Sequence, residues 1–210
     1  MFIKNGDIVS LGHYSKAVQL KTLVVGVNRE ISDDIISVKV IDDCIRENFL
    51  KDDPVVLGME REKKVYMTSC YVVEVIPSQC IVKLAVNNEE FVVNSRAHER
   101  YPVSLYVDIF RVETGEDSVA IVKNISYEGL MICSRNEFYE AENINVGLYL
   151  NDIEVRLGAK IMWKMMRNSA FEYGMKITYM DYNSQTVLWR YIDKLKDDQE
   201  EFVRQLKNMI

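Results

Sequence analysis

The chain has 210 residues, 48% of them hydrophobic, and a net charge of −6. This apolar content is enough for a packed core and excludes a wholly disordered chain, and the length allows two domains of ordinary size. The negative charge is divided evenly between the two halves of the chain. That balance disfavours a module that binds nucleic acid through its phosphate backbone.

The first half of the chain predicts a series of β-strands. The candidate strands, most of them alternating or β-branched, are 6–11, 18–27, 35–41, 54–59, 65–76, 81–86 and 91–93. Asn87-Asn88 is a predicted turn. Seven or so short strands at this spacing, with no segment of helical period, predict a small closed barrel. The predicted domains are 1–93 and 94–210, with the boundary at 93–95.

The second half predicts another barrel, followed by a helix. The candidate strands are 103–109, 119–125, 130–133, 144–150, 155–165 and 171–179. From about 184 to 209 the apolar positions follow a helical period, with Asn183 or Ser184 as the N-cap. The polar segment 196–199 predicts a kink or a gap between two helices. The fold class is therefore all-β: two small β-barrels with a C-terminal helix.

The cysteines and histidines predict no metal site. Cys44, Cys70, Cys80 and Cys133 are widely spaced, and there are only two histidines. This pattern favours reduced cysteines in a cytosolic protein. The sequence also shows neither a signal peptide nor an apolar run long enough to span a bilayer. We therefore expect a soluble cytoplasmic protein with no membrane insertion.

Five residues form a candidate binding site. Arg96 and Arg100 lie four apart, and Asn124, Ser126 and Gly129 follow after an alternating segment. Arginine matches phosphate oxygens two at a time, stacks on purines and reaches O6 and N7 of guanine. Asn124 and Ser126 share one face of an extended segment and offer a carboxamide and a hydroxyl, while Gly129 allows a turn with positive φ. The set predicts a site for a small anionic ligand that bears guanine.

This pattern resembles the two-part motif of PilZ domains, Arg-x-x-x-Arg followed by Asp/Asn-x-Ser-x-x-Gly. PilZ domains bind the bacterial second messenger cyclic diguanylate (c-di-GMP). Segments 159–163 and 173–177 are similar to later strands of the family, so the resemblance covers about 95–178. Many members have a further arginine where this chain has Ser95, and the difference favours one ligand molecule per chain. The ligand-binding residues that the resemblance implies are Arg96, Arg100, Asn124, Ser126 and Gly129, with Ser95, His98 and Gly174 as additional candidates.

For two side chains the sequence also predicts a role outside ligand binding. His98 is expected to be a solvent-exposed filler. Trp163 is expected to belong to the core rather than to form a stacking platform.

A β-barrel followed by a PilZ domain resembles the flagellar-brake type of protein, whose N-terminal domain is a split barrel. The resemblance implies a c-di-GMP receptor, not an enzyme, that changes its interdomain arrangement on binding and so controls a protein partner. The partner would lie in the flagellar motor or in other motility or envelope machinery, with biofilm switching as a related output. Two alternatives stay open. One is a PilZ-like adaptor that does not bind the nucleotide and works constitutively, and the other is an enzyme on a cyclic nucleotide, which would need a metal cluster or positioned base.

Overall fold

The computed structural model describes residues 2–13, 19–29, 34–40, 48–62, 64–93, 96–167 and 169–208. The chain forms two compact units. One consists of residues 1–95 together with 199–210, and the other of residues 96–198. Each unit contains a closed barrel of six antiparallel strands, and a C-terminal helix follows the second barrel. The predicted fold class, two β-barrels with a C-terminal helix, is confirmed.

The first barrel is hydrogen-bonded in the order β1-β2-β3-β6-β5-β4. Its strands are β1 (Ile8–His13), β2 (Gln19–Arg29), β3 (Asp34–Lys39), β4 (Pro54–Arg61), β5 (Lys64–Ile76) and β6 (Ile81–Val93). Alternate residues such as Val9 and Leu11 on β1, and Leu84 on β6, are fully buried. Burial of one such side chain contributes about 1.5–3 kcal/mol, which fixes which face of each strand points inward.

The predicted turn at Asn87-Asn88 is wrong, because β6 runs through both residues. Ser69 pairs with Asn88, whereas its neighbour Cys70 pairs with Val86. Asn87 is therefore the extra residue of a β-bulge. A bulge inserts one residue without ending the strand, so the two short strands expected here are one.

The second barrel is hydrogen-bonded in the order β10-β11-β12-β9-β8-β7. Its strands are β7 (Tyr101–Arg111), β8 (Asp117–Ser126), β9 (Gly129–Ser134), β10 (Asn143–Leu150), β11 (Ile153–Arg167) and β12 (Ala170–Met180). Val107 and Ile109 on β7 and Val122 on β8 lie in the core, in agreement with the alternation of the sequence.

The C-terminal helix α1 spans Tyr182–Lys207. Its first turn is capped by Asp181, whose Oδ1 accepts the backbone N–H groups of Asn183 at 2.9 Å and Ser184 at 3.0 Å. The Ser184 hydroxyl donates to Oδ2 at 2.6 Å, and these hydrogen bonds lower the pKa of Asp181. The expected cap at Asn183 or Ser184 is wrong, because Asp181 satisfies these free donors.

The expected gap between two helices at 196–199 is also wrong, since α1 is continuous there. Leu188 and Ile192, four residues apart on one face of the helix, are fully buried in the core of the second barrel. Leu206 near the end of α1 is fully buried too. Within the described ranges, no helix combines the length and apolarity that a membrane crossing requires.

Candidate functional site

A β-bulge at the end of β8 places Asn124 on the outer face of the second barrel. Val122 and Ile125 are both fully buried, although two residues separate them. Val122 pairs with Ile132 and Asn124 with Met131, so Lys123 is the extra residue. Met131 lies between two buried neighbours in sequence, and directly paired residues share a face of a sheet. The bulge therefore turns Asn124 outward.

Asn124 begins a row of residues that crosses four strands. Met131 on β9 pairs with Gly174 on β12, and Gly174 pairs with Trp163 on β11. A Cβ atom at Gly174 would lie 2.0 Å from Nε1 of Trp163, so the indole lies directly over the glycine. The expected core position of Trp163 is wrong: the ring is partly exposed on the outer face. We call Asn124, Met131, Gly174 and Trp163 the outer row.

The amide of Asn124 has a weak partner. Its Nδ2 donates to Sδ of Met131 at 3.1 Å. A thioether sulfur is a poor acceptor, so a ligand oxygen would be a better partner for this NH₂ group. The contact orients the carboxamide at little cost to ligand binding.

Ser126 and Gly129 close the hairpin between β8 and β9. They pair across the two-residue turn formed by Tyr127 and Glu128, and the hydroxyl of Ser126 donates to the Gly129 carbonyl at 3.2 Å. The expected positive φ at Gly129 is wrong. The glycine is needed for a different reason, because a Cβ there would lie 2.4 Å from the backbone oxygen of Met175. Gly129 lets β9 approach β12 closely.

The two arginines lie in the exposed, irregular segment 96–100, directly before β7. The pKa of Arg100 is lowered by partial burial and by the positive charge of Arg96. The charge of Arg96 thus acts against the charged form of Arg100, and a bound anion would act in the opposite sense. Ser95, an additional candidate, lies outside the described residues.

His98 holds this segment against the β8–β9 turn. Its Nε2 lies 3.4 Å from Oε1 of Glu128, and its ring meets the ring of Tyr127 edge-on at 5.4 Å between centroids. The His98 side chain is 41% exposed. It is thus solvent-exposed, as expected, but it also has two defined contacts.

Tyr127 in turn contacts α1. Its hydroxyl donates to Oδ1 of Asp193 at 2.5 Å, and its ring meets Trp189 edge-on at 6.0 Å. The hydrogen bond to Asp193 is the main cause that raises the pKa of Tyr127 to about 12. We call His98, Tyr127, Glu128, Trp189 and Asp193 the Tyr127 cluster.

A partly buried ion pair lies next to Asn124. Nζ of Lys123 is 2.6 Å from Oε1 of Glu172, whose side chain is only 5% exposed. The bulge brings Lys123 onto the same face as Asn124. Because Glu172 neutralises this lysine, the pair organises the bulge more than it attracts an anion.

The structure brings both halves of the predicted motif to one end of the second barrel. Pro102 pairs with Asn124 and lies two residues after Arg100. The segment that carries the arginines also contacts the turn after Ser126 through His98. Gly174 joins the site through the outer row. In the described part of the chain, no group of histidine, cysteine and carboxylate side chains is placed to hold a metal ion.

A family model described as PilZ domain matches residues 94–194. Residues 94–194 are a PilZ domain. No match is found among the curated protein sequences.

Several solved structures are similar to the chain. The inhibitor of motility MotI/DgrA of Bacillus subtilis is 13% identical, with 93% of this chain and 99% of that chain covered and a TM-score of 0.44. YcgR of Escherichia coli in complex with c-di-GMP is 13% identical, with 94% and 88% covered and a TM-score of 0.47. The MrkH–c-di-GMP complex of K. pneumonia is 11% identical, with 92% and 89% covered and a TM-score of 0.48.

The sequence prediction missed several residues around the PilZ motif. Tyr127 and Glu128 occupy the unspecified positions of Asn-x-Ser-x-x-Gly. Trp189 and Asp193 are four residues apart, which puts them on one face of α1, but nothing in the sequence indicates what that face contacts. Lys123 was missed because only the bulge brings it outward.

Proposed function

We propose that the protein is a receptor for c-di-GMP and not an enzyme. The observation that carries this proposal is the convergence of the motif. The bulge turns Asn124 outward at the same end of the PilZ barrel where His98 holds the segment of Arg96 and Arg100. A dinucleotide with two phosphates and two guanines matches this combination of guanidinium, carboxamide and hydroxyl groups.

Each group has a distinct role in this proposal. Arg96 and Arg100 bind phosphate oxygens or guanine O6 and N7, and the bound anion offsets the effect of the Arg96 charge on Arg100. Asn124 and Ser126 contact a base edge or a phosphate from the end of β8. Gly129 lets β9 lie close to β12, and Gly174 lets the indole of Trp163 lie close to the barrel. Neither then blocks the outer surface that the ligand would occupy.

Calorimetric titration of the protein with c-di-GMP tests the assignment. Charge-assisted contacts contribute about 1.5–3 kcal/mol each, so Arg96→Ala or Arg100→Ala should weaken binding roughly ten- to hundredfold. Arg135→Ala is the matched control, because Arg135 is an exposed arginine just beyond the other end of β9. Unchanged affinity in a folded Arg96→Ala protein would show that the ligand does not bind at this site.

The same titration decides two further points. With Ser95 at the position where many family members have arginine, we propose that one ligand molecule binds per chain, and saturation at two contradicts this. No heat of binding with wild type would favour the alternative of a constitutive PilZ-like adaptor.

The proposed output is control of a protein partner. In this proposal c-di-GMP changes the arrangement of the two domains, 1–93 and 94–210, and so alters a surface that the partner binds. The resemblance to flagellar-brake proteins favours a partner in motility machinery. A pull-down of motor proteins with and without c-di-GMP tests this output, and equal recovery in both conditions contradicts it.

A further inference from the structure

The PilZ barrel carries an exposed apolar surface on β7, β8 and β10. The side chains that form it, with their exposed fractions, are Tyr106 (72%), Phe110 (49%), Val119 (59%), Ile121 (39%) and Tyr149 (51%). We call these five residues the aromatic face. Single exposed apolar residues are normal on a protein surface, whereas contiguous groups mark interaction sites.

The strand register makes this face contiguous. Tyr106 pairs directly with Ile121, and Asp108 pairs with Val119. Phe110 follows on the same side of β7, since Val107 and Ile109 point into the core. The Cβ atoms of directly paired residues lie about 4.5–5.5 Å apart, so their side chains pack side by side.

The charges on and around the aromatic face are mostly negative. Asp108 lies in its middle, where Oδ2 accepts the hydroxyl of Tyr149 at 3.2 Å. Asp117 pairs with Phe110 at one edge, and Glu154 pairs with Tyr149 at another. Arg156 adds a positive charge at that edge, but two of its guanidinium N–H groups donate to Glu154, at 2.8 and 2.9 Å. Arg135, two residues after the Cys133 that pairs with Ile121, adds a second positive charge at the β9 edge, whereas Lys123 beyond Ile121 is paired with Glu172. Three carboxylates therefore face two guanidinium groups, one of which is already paired.

We propose that the aromatic face is the docking site for a basic segment of another protein that carries aliphatic or aromatic side chains. The apolar side chains supply buried area at the centre, and the carboxylates select a positively charged partner. Self-association is opposed by charge. A two-fold pair would bring the same carboxylates together, on a chain whose net charge is −6.

The face is continuous with the candidate ligand site. Ile121 is three residues before Asn124 on β8, and the bulge at Lys123 lies between them. An occupant of the aromatic face would thus lie beside bound c-di-GMP. The inference rests on the proposed function only for the position of bound c-di-GMP, and the peptide-binding experiment that tests it contains no nucleotide.

The test uses random peptides displayed on phage and selected on the immobilised full-length protein. We expect the selected peptides to carry net positive charge and apolar residues. Synthetic versions are then titrated against variants. Tyr106→Ser should weaken binding at least roughly tenfold, as expected for a central aromatic residue, and Asp108→Lys should weaken it by charge reversal. The matched control is Tyr179→Ser, because Tyr179 is also 72% exposed but lies on β12.

Three outcomes of the peptide experiment overturn the proposal. These are selected peptides that are neutral or acidic, an affinity unchanged by Tyr106→Ser, and enrichment no greater than in the unselected library. Sedimentation that shows self-association abolished by Tyr106→Ser would make a second copy the occupant and would also overturn it. A c-di-GMP titration of the same variants separates this result from a failure of the receptor proposal, since we expect normal ligand affinity in all of them.

Discussion

Asn124 stands where the family motif also allows aspartate, and the bulge at Lys123 decides which way it points. A carboxylate there accepts from the N1 and N2 donors of guanine with two oxygens, whereas the carboxamide has one oxygen and an NH₂. In the structure that NH₂ donates to the sulfur of Met131, a weak acceptor. Replacing this NH₂ group therefore removes only a weak hydrogen bond from the protein.

We therefore expect Asn124→Asp to bind c-di-GMP as tightly as wild type or more tightly, as measured by calorimetry. Asn124→Ala, which removes both donor and acceptor, should bind more weakly and serves as the comparison. A large loss of affinity in Asn124→Asp would show that the NH₂ group itself contacts the ligand, at a phosphate or at guanine O6.

Gly174 is fixed by the indole that covers it. A methyl group at this position would overlap the ring of Trp163, because a Cβ atom would lie 2.0 Å from Nε1. We expect Gly174→Ala to lower the free energy of unfolding by about 1–3 kcal/mol, the usual cost of overpacking, in chemical denaturation. Gly147→Ala is the control, because a Cβ there would meet its nearest atoms at 3.6 and 3.7 Å. Equal stability of the two variants would mean that Trp163 moves aside freely.

At the scale of elements, the β8–β9 turn and α1 are joined by the hydroxyl of Tyr127. Its pKa is raised to about 12, whereas tyrosine in an unfolded chain titrates near roughly 10. The folded state therefore holds this proton more tightly than the unfolded state. The corresponding stabilisation is complete below about pH 10 and is lost as the pH rises toward about 12.

We expect the free energy of unfolding of wild type to fall more steeply above about pH 10 than that of Tyr127→Phe, which has no hydroxyl to titrate. Denaturation curves at intervals from about pH 8 to about pH 11 measure this. Tyr179→Phe, at an exposed tyrosine of β12, should keep the wild-type slope. If Tyr127→Phe keeps it as well, the hydrogen bond to Asp193 does not stabilise the fold.

The strands were predictable from the sequence because the apolar residues that point into each barrel recur at every second position, as Val107 and Ile109 illustrate. The bulges at Asn87 and Lys123 were not, because an inserted residue shows only against the partner strand. Trp163 was misplaced for a similar reason. Its apolar character suits a core, and only the cross-strand glycine reveals an outer surface where the ring fits.

For the whole molecule, the proposed signal must pass between the two compact units. The chain passes from one unit to the other at two places, between residues 95 and 96 and between residues 198 and 199 within α1. The first lies directly before Arg96. A ligand shifts an equilibrium between two arrangements only if it binds one of them better, and the arginine segment is where such a difference would arise.

We expect residues from about Asn94 to Tyr101 to gain protection from hydrogen exchange on c-di-GMP binding, because Arg96 and Arg100 within this segment would bind the anion. The solution-scattering profile should change at the same ligand concentration. If protection increases but the scattering profile does not change, the two domains keep their arrangement. The bound ligand itself would then form part of the surface that the partner binds.

A long Gly/Ser spacer inserted after Val93 tests which of the two chain connections, the one before Arg96 or the one within α1, transmits the change. It should leave c-di-GMP affinity nearly intact and abolish the scattering change, because ordering of 94–101 no longer pulls on the chain before it. A matched spacer after Asp198 interrupts α1 instead and should leave the change in place. The opposite result, with the change lost only in the second variant, would assign the coupling to α1. The Tyr127 cluster would then be its origin, since it connects His98, two residues after Arg96, to Asp193, five residues before the point where α1 enters the first unit.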